Sequence, residues 1–316
     1  MTFTIGKIPI RILPQFFIMA AVLGMRLGNP VELAGWVAVV LASVVVHELG
    51  HATVGRAFGL EPSVVLHGTG GTTSWTGSRN LSPAQRIAIS LAGPGAGFAL
   101  GGLVYAIALL SRAHTRGDSG GGSSGIGAPD LASFLVGELV YVNVAWGMLN
   151  LLPMLPLDGG NVMTQVLNAA RHGRGERPAR IISIVLAGAA FVAALAWRSL
   201  WQAFLAGSFV VVNWRALKDL AAVEHDAPLR AALDGAYAAL QAKDAARILQ
   251  LARPVALQSQ TAPVRAEALQ LLAFGFLLDD RLADADAAIA AMPNGFSPNQ
   301  SLIALRQASA TRQGPR

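Results

Sequence analysis

Residues 31–55 read VELAGWVAVVLASVVVHELGHATVG, a nearly unbroken apolar run with two histidines and a glutamate in its second half. It is long enough to cross a bilayer as a helix, which takes about 20 apolar residues. Within it, His47-Glu48-Leu49-Gly50-His51 is an HExxH motif, whose i, i+4 spacing puts both imidazoles on one helix face. A charge at the centre of such a helix costs roughly 2.5–3.5 kcal/mol, which a purely structural role does not explain. The run therefore predicts a metal site inside a membrane helix.

The composition supports a membrane protein with a metal site built from histidine and carboxylate. Of the 316 residues, 53% are hydrophobic and 13% are charged, a balance that is unusual for a soluble domain of this length. The chain contains no cysteine, which excludes disulfides and thiolate zinc ligands. The formal net charge of +6 comes mainly from arginines at the ends of apolar runs, an arrangement that argues against nucleic-acid binding.

Six apolar runs predict six membrane crossings, near residues 10–27, 31–55, 86–111, 131–155, 180–197 and 199–215. An even number places both termini on one side. On that side would lie Lys7, Arg11, Arg56, Arg79, Arg86, Arg171, Arg174, Arg177, Arg180, Arg215 and Lys218, against Arg26, Arg112, Arg116 and Arg198 on the other. By the positive-inside rule we expect a multi-pass protein of the bacterial inner (plasma) membrane with both termini cytoplasmic.

A zinc site in this chain needs at least one protein ligand besides His47 and His51. The segment Asn150-Leu-Leu-Pro-Met-Leu-Pro-Leu-Asp158-Gly-Gly160 offers Asp158 in an apolar, proline-broken stretch near the cytoplasmic end of the fourth predicted span. His67 is the rival ligand. It belongs to Val64–Gly77, a stretch rich in β-branched residues and glycine that predicts a small β-hairpin or re-entrant loop beside the site. The similar depth of Asp158 and His47 at the cytoplasmic side of the membrane favours Asp158 and leaves His67 open.

Two further stretches organise the chain. The Gly/Ser-rich residues 117–127 predict a flexible connector. Beyond residue 220 the sequence has helical spacing but no run long enough to cross a bilayer, so the fold class is an all-α polytopic membrane protein with a soluble helical C-terminal domain. The expected domains are 1–219 and 220–316. Related pieces at 240–245 and 278–283 resemble the repeat of tetratricopeptide (TPR) hairpins, and a plain helical bundle is the alternative.

Three separated motifs resemble the intramembrane site-2 proteases of the M50 type. These are the HExxH pentapeptide, Ser90-Leu-Ala-Gly-Pro94, and Asn150 to Gly159 with its Leu-Asp-Gly ending, and together they cover about residues 31 to 165. The resemblance implies that His47, His51 and Asp158 bind Zn²⁺, that Glu48 is the general base, and that Asn150 contacts the substrate or transition state. It also implies a single-pass signalling protein as substrate.

The expected function is thus hydrolysis of peptide bonds within or near transmembrane helices by a zinc metalloendopeptidase. The expected partners are the bilayer, the substrate helix and a protein bound at the C-terminal helical domain. Two alternatives stay open: a catalytically silent scaffold that recruits partners through that domain, and a transporter that uses the polar residues as an ion path.

Overall fold

The structure, a computed structural model, describes residues 1–77, 79–118 and 131–312, and its contacts divide the chain into two units, Met1–Asn213 and Trp214–Arg316. Most of the predicted connector at 117–127 lies outside the described residues. The functional assignment of domains 1–219 and 220–316 stays a prediction. The first unit contains, in chain order, β1 (Thr2–Ile5), β2 (Ile8–Ile12), α1 (Pro14–Gly24), α2 (Pro30–Ala57), β3 (Glu61–His67), β4 (Gly70–Thr76), α3 (Pro83–Asp118), α4 (Leu131–Asn150), α5 (Asp158–Ala170), α6 (Glu176–Ala196) and the start of α7 (Leu200–Asp226).

In the described part of the chain, four helices are long and apolar enough to cross a membrane: α2, the Pro83–Ser111 part of α3, α4 and α6. The protein is therefore a mostly helical integral membrane protein with a small sheet. The predicted total of six crossings is not confirmed. The expected first span, 10–27, begins in strand β2, and its helix α1 has 11 residues, about 16 Å, against roughly 30 Å of hydrocarbon. The expected last span lies in α7, where Gln202, Asn213 and Arg215 interrupt the apolar run.

The predicted hairpin at 64–77 is present as antiparallel β3 and β4, but it belongs to a larger sheet that the sequence analysis did not predict. The strand order is β1-β2-β3-β4, with β2 and β3 parallel and the outer pairs antiparallel. The alternating pattern of β2 buries Ile8, Ile10 and Ile12 against Val64 and Leu66 of β3. Each such buried side chain contributes about 1.5–3 kcal/mol. The sheet leaves one edge of β4 unpaired.

Small residues let the helices around the HExxH motif approach closely. A Cβ added to Gly50 of α2 would lie 2.4 Å from the carbonyl oxygen of Ala92 in α3, so only glycine fits this crossing. Helix α1 packs on the first half of α2, and the indole N–H of Trp36 donates to the carbonyl of Ala20 at 2.9 Å. Helix α2 also packs against β3 and β4, so the motif lies between α3 and the sheet.

The second unit is built from helices packed in chain order around one apolar core. They are α8 (Arg230–Gln241), α9 (Ala245–Gln258), α10 (Ala262–Leu278), α11 (Leu282–Ala290) and α12 (Gln300–Arg312). The two related sequence pieces form the turns of the α8–α9 and α10–α11 hairpins, where Lys243 and Asp280 both adopt φ of 55°. This supports two helical hairpins, while the tetratricopeptide assignment stays a prediction.

Candidate metal centre

The two histidines of the motif face the same point. On α2 the Nε2 atoms of His47 and His51 lie 3.1 Å apart, and both residues are buried. The helical spacing that the sequence predicted therefore brings the two nitrogens together.

Asp158, the first residue of α5, completes this group. Oδ2 of Asp158 lies 3.2 Å from Nε2 of His47, and Oδ1 of Asp158 lies 3.4 Å from Nε2 of His51, so each carboxylate oxygen faces one imidazole. One ligand atom from each residue lies within 4.8 Å of the others, and no thiolate is needed, since imidazole and carboxylate both bind zinc. Two imidazoles and one carboxylate also leave a fourth position for water. We call His47, His51 and Asp158 the metal centre.

A backbone hydrogen bond fixes how His51 presents its ring. Nδ1 of His51 lies 2.7 Å from the carbonyl oxygen of Ile89 in α3, and only a protonated Nδ1 can donate there. In the neutral imidazole this leaves a lone pair on Nε2, which points at the metal centre. Pro94 has no N–H and disturbs the adjacent turn of α3, near the carbonyl that His51 uses. Nδ1 of His47 is buried without a hydrogen-bond partner among the described residues.

Gly93 of α3 lies directly against the metal centre. A Cβ at this position would be 2.2 Å from Nε2 of His51 and 2.8 Å from Nε2 of His47, so any side chain would enter the space between the ligands. The Ser90–Pro94 motif thus has a packing reason for its glycine.

Glu48 stands beside the metal centre and contacts the edge strand of the sheet. Oε2 of Glu48 accepts a hydrogen bond from Oγ1 of Thr73 at 2.7 Å, and Glu48 is buried. Strand β4 can come this close because Gly71 has no side chain: its Cβ would lie 2.5 Å from Oε1 of Glu48. The carboxylate is thus held at one oxygen by a neutral donor and has no lysine or arginine partner among the described residues.

The segment between α4 and Asp158 is held by two closely packed glycines and by two polar residues that the sequence analysis missed. Gly159 and Gly160 pack against it so closely that a Cβ would lie 2.1 Å from the carbonyl oxygen of Leu151 and 2.3 Å from the amide nitrogen of Leu155, respectively. Ser183 of α6 accepts from the Leu155 N–H at 2.9 Å, and Asn213 of α7 donates to the Leu155 carbonyl at 2.7 Å. The sequence signal that could have identified Ser183 and Asn213 is that each is a single polar residue within an apolar stretch of helix.

The remaining candidate residues are Asn150 and His67. Asn150 is the last residue of α4 and is buried, and its substrate-contacting role stays a prediction. His67, the rival ligand, is at the end of β3, where its ring pairs with Thr72 at 2.8 Å and Thr69 at 2.9 Å within its own hairpin. Among the described residues, the group that could hold a metal ion contains Asp158 and not His67.

Asn143 of α4 is a third polar residue that the sequence analysis missed. Its amide donates to Oγ of Ser43 at 2.9 Å, one turn before His47 on α2, and it packs against Gly97 and Gly101 of α3. It therefore ties together the helices α2, α3 and α4.

Comparison with known proteins agrees with this geometry. The profile of peptidase family M50 matches residues 35–124 and 125–195, just over half of the chain, and these ranges include all three residues of the metal centre. The chain belongs to peptidase family M50.

Two curated relatives of this M50 chain are named as candidate zinc metalloproteases. Rip3 of Mycobacterium tuberculosis is 32% identical over 182 residues, covering 54% of this chain and 43% of Rip3. The protein sll0528 of Synechocystis is 30% identical over 174 residues, covering 51% of this chain and 42% of that protein. The chain thus spans less than half the length of these relatives. A solved structure, the site-2 protease of Methanocaldococcus jannaschii, matches 69% of this chain and 94% of its own, with 22% identity and a TM-score of 0.49.

Proposed function

We propose that this chain is an intramembrane zinc metalloendopeptidase that hydrolyses peptide bonds within or near transmembrane helices of membrane-anchored signalling proteins. The observation that carries the proposal is the convergence of His47, His51 and Asp158, with Glu48 beside them, at a helix apolar enough to span a bilayer. Membership of peptidase family M50 supports the same reaction.

In this mechanism His47, His51 and Asp158 would hold the zinc ion, which would supply a Lewis acid and make a water molecule more acidic. Glu48 would act as general base and acid: it would take a proton from the attacking water and deliver it to the leaving amine. Thr73 holds Oε2 of Glu48, so the carboxylate keeps one orientation through both transfers. Asn150 contacts the substrate or the transition state in this proposal.

We propose that the substrate binds along the edge of β4 that is unpaired among the described residues. A transmembrane helix hides its carbonyls in its own hydrogen bonds, so it must unwind before cleavage. An extended peptide on the β4 edge regains backbone hydrogen bonds there. Because Thr73 of the same strand contacts Glu48, such a peptide passes close to the general base.

Water needs a route to this site, and a cavity of about 360 Å³ offers one. Ile89, whose carbonyl holds His51, lines the cavity together with Asn161, which lies one turn after Asp158 on α5. We propose that water enters and a polar flank of the product leaves through this opening.

The membrane arrangement we propose keeps both termini in the cytoplasm of a bacterial cell. Pairing of β2 with β3 supports this, since it places the N-terminal strands beside the hairpin that follows α2. Arg56, Arg79 and Arg86 flank the same hairpin, as the positive-inside rule expects for a cytoplasmic face. Four helices in the described part of the chain are long enough to cross the membrane. Six crossings result if α7 also crosses, and if α1 crosses together with the sheet.

The second unit is the proposed binding place of a protein partner. A cavity of about 210 Å³, lined among others by Glu267, Gln270, Met292 and Phe296, supports this role. A silent scaffold would use this surface without any catalysis.

A cleavage assay in reconstituted membranes distinguishes the proposed protease from a catalytically silent scaffold. Full-length protein in liposomes with a panel of single-pass membrane proteins should cut at least one of them, and a chelator or Glu48→Gln should abolish the cut. Zinc content should survive Glu48→Gln, because Glu48 is not a ligand. Cleavage that persists in Glu48→Gln refutes the assigned base, and a folded protein without zinc refutes the protease.

A further inference from the structure

The loop between α4 and α5 carries non-helical backbone into an apolar part of the protein. Residues 151–157 join Asn150 to Asp158, and Met154, Leu155 and Leu157 are buried. Buried backbone N–H and C=O groups outside a helix need partners, because apolar surroundings offer no water to replace them. The partners of this loop therefore decide its conformation.

Both polar groups of Leu155 find their partners on other helices. The N–H of Leu155 donates to Oγ of Ser183 on α6 at 2.9 Å, and the carbonyl of Leu155 accepts from Nδ2 of Asn213 on α7 at 2.7 Å. Ser183 and Asn213 are completely buried. A buried polar side chain in an apolar helix is costly unless it is hydrogen-bonded, and here Ser183 and Asn213 bind both backbone polar groups of one residue, Leu155.

The surrounding hydrogen bonds fix the direction of each contact. The hydroxyl of Ser183 donates to the carbonyl of Ala179 at 2.8 Å, which leaves its oxygen lone pairs to accept from Leu155. Arg180, which can only donate, contacts Oδ1 of Asn213 at 3.4 Å, so the amide group of Asn213 turns toward carbonyls. Nδ2 of Asn213 accordingly donates to Leu155 and to Phe209 at 2.9 Å. The side chains of Ser183 and Asn213 thus each have one assignment of hydrogen-bond donors and acceptors that satisfies all their neighbours.

Displacement of Leu155 would reach Asp158 directly. Only two residues lie between them, and Gly160 packs against Leu155 and Met154 with no room for a Cβ. The loop and the first turn of α5 are thus packed as one piece, and the carboxylate of Asp158 starts that turn.

We propose that Ser183 and Asn213 are positioning residues that set the place of Asp158 in the metal centre by clamping the backbone N–H and C=O of Leu155. The clamp rests on the proposed zinc centre for its effect on metal affinity, whereas its effect on the loop itself needs no metal. Neither residue touches the metal ligands, so both act through the backbone of residues 155–158. Outer partners of this kind change metal affinity by about 10–100-fold.

The test uses the full chain in nanodiscs, with Ser183→Ala and Asn213→Leu as clamp variants. Ser208→Ala is the matched control, because the Ser208 hydroxyl bonds only the carbonyl of Leu205 in its own helix α7, at 2.6 Å. Chelator competition measures zinc affinity, and amide exchange of a peptide covering 151–157 measures loop protection in zinc-free protein. Asn213→Ser replaces Asn213→Leu if the larger change prevents folding.

We expect each clamp variant to bind zinc about 10–100-fold more weakly and to lose protection of the 151–157 amides, with the control unchanged in both. If a clamp variant binds zinc within twofold of the wild-type affinity, or if the 151–157 amides keep their protection, Ser183 and Asn213 do not position Asp158. If the wild-type chain binds no zinc, the proposed function fails, while the exchange measurement still decides whether Ser183 and Asn213 hold the loop.

Discussion

The hydroxyl of Thr73 donates to Oε2 of Glu48 at 2.7 Å and so connects the edge strand β4 with the glutamate of the HExxH motif. Removing this donor in Thr73→Val leaves one carboxylate oxygen without its fixed partner. A hydrogen bond to a charged group is worth about 1.5–3 kcal/mol, so we expect kcat to fall roughly tenfold or more while zinc content stays the same. Thr73→Ser keeps the hydroxyl and should retain most of the activity. Equal kcat in wild type and Thr73→Val would remove Thr73 from the mechanism.

Gly93 and Gly95 form a matched pair on α3 for testing the packing at the metal centre. A Cβ at Gly93 would lie 2.2 Å from Nε2 of His51, whereas a Cβ at Gly95 meets nothing within 4 Å. Gly93→Ala should therefore lower zinc affinity by at least tenfold, and Gly95→Ala should leave it unchanged. Isothermal titration of zinc into metal-free protein gives both values. Full zinc binding by Gly93→Ala would mean that α2 and α3 separate easily at this crossing.

The parts of the site that carry a recognisable sequence signal could be predicted, and the parts without such a signal could not. His47 and His51 follow from helical spacing alone, and Asp158 follows from a proline-broken apolar segment at matching depth. Ser183 and Asn213 are single polar residues in apolar helices, and nothing local says that both contact Leu155. Their role depends on tertiary packing.

The fold shows the same division. The hairpin of β3 and β4 was predictable from β-branched residues and glycines, but the strand Ile8–Ile12 was merged into the first apolar run. Its pairing partner, Val64–Leu66, lies beyond two helices in the chain, so the parallel contact leaves no local signal. His67 was a reasonable rival until the hairpin gave its ring Thr69 and Thr72 as partners.

The absence of cysteine from the sequence makes the proposed topology directly testable. Single cysteines at Gly28 and Arg198 should react with a membrane-impermeant maleimide in intact cells, because the proposed topology places these positions outside, on the side with few basic residues. Cysteines at Arg174 and Gln307 should react only after lysis. Labelling of the Arg174 position from outside would show that the orientation is the reverse of the proposed one. Labelling from outside of the Gln307 position but not the Arg174 position would show that α7 does not cross the membrane.

Asp226 gives the second unit a pH-dependent contact. The residue is 1% exposed and accepts hydrogen bonds from the N–H groups of Gln260 and Thr261, both at 2.8 Å, and from the Thr261 hydroxyl at 2.6 Å. Burial on its own raises the pKa of Asp226, but these hydrogen bonds outweigh it and hold the pKa below its ordinary value.

Because the folded pKa is lowered, this stabilisation is complete above the unfolded pKa of about 4 and disappears as the pH falls through the folded pKa. We expect Asp226→Asn to reduce the opening free energy of the amides at Gln260 and Thr261 by roughly 1–2 kcal/mol at pH 7. Amide exchange measures this difference. Asp234→Asn, at an exposed position of α8, should have no effect. Equal protection in wild type and Asp226→Asn would contradict the assignment.

Zinc K-edge X-ray absorption on the purified full chain tests the metal centre most directly. We predict stoichiometric zinc with imidazole scattering from two histidines at about 2.0–2.1 Å and further oxygen ligands, and we predict that Asp158→Ala lowers the zinc content. His67→Ala should leave the spectrum unchanged, because His67 pairs within its own hairpin. A folded protein without zinc, or a zinc spectrum that lacks imidazole scattering, would contradict the assignment of His47, His51 and Asp158.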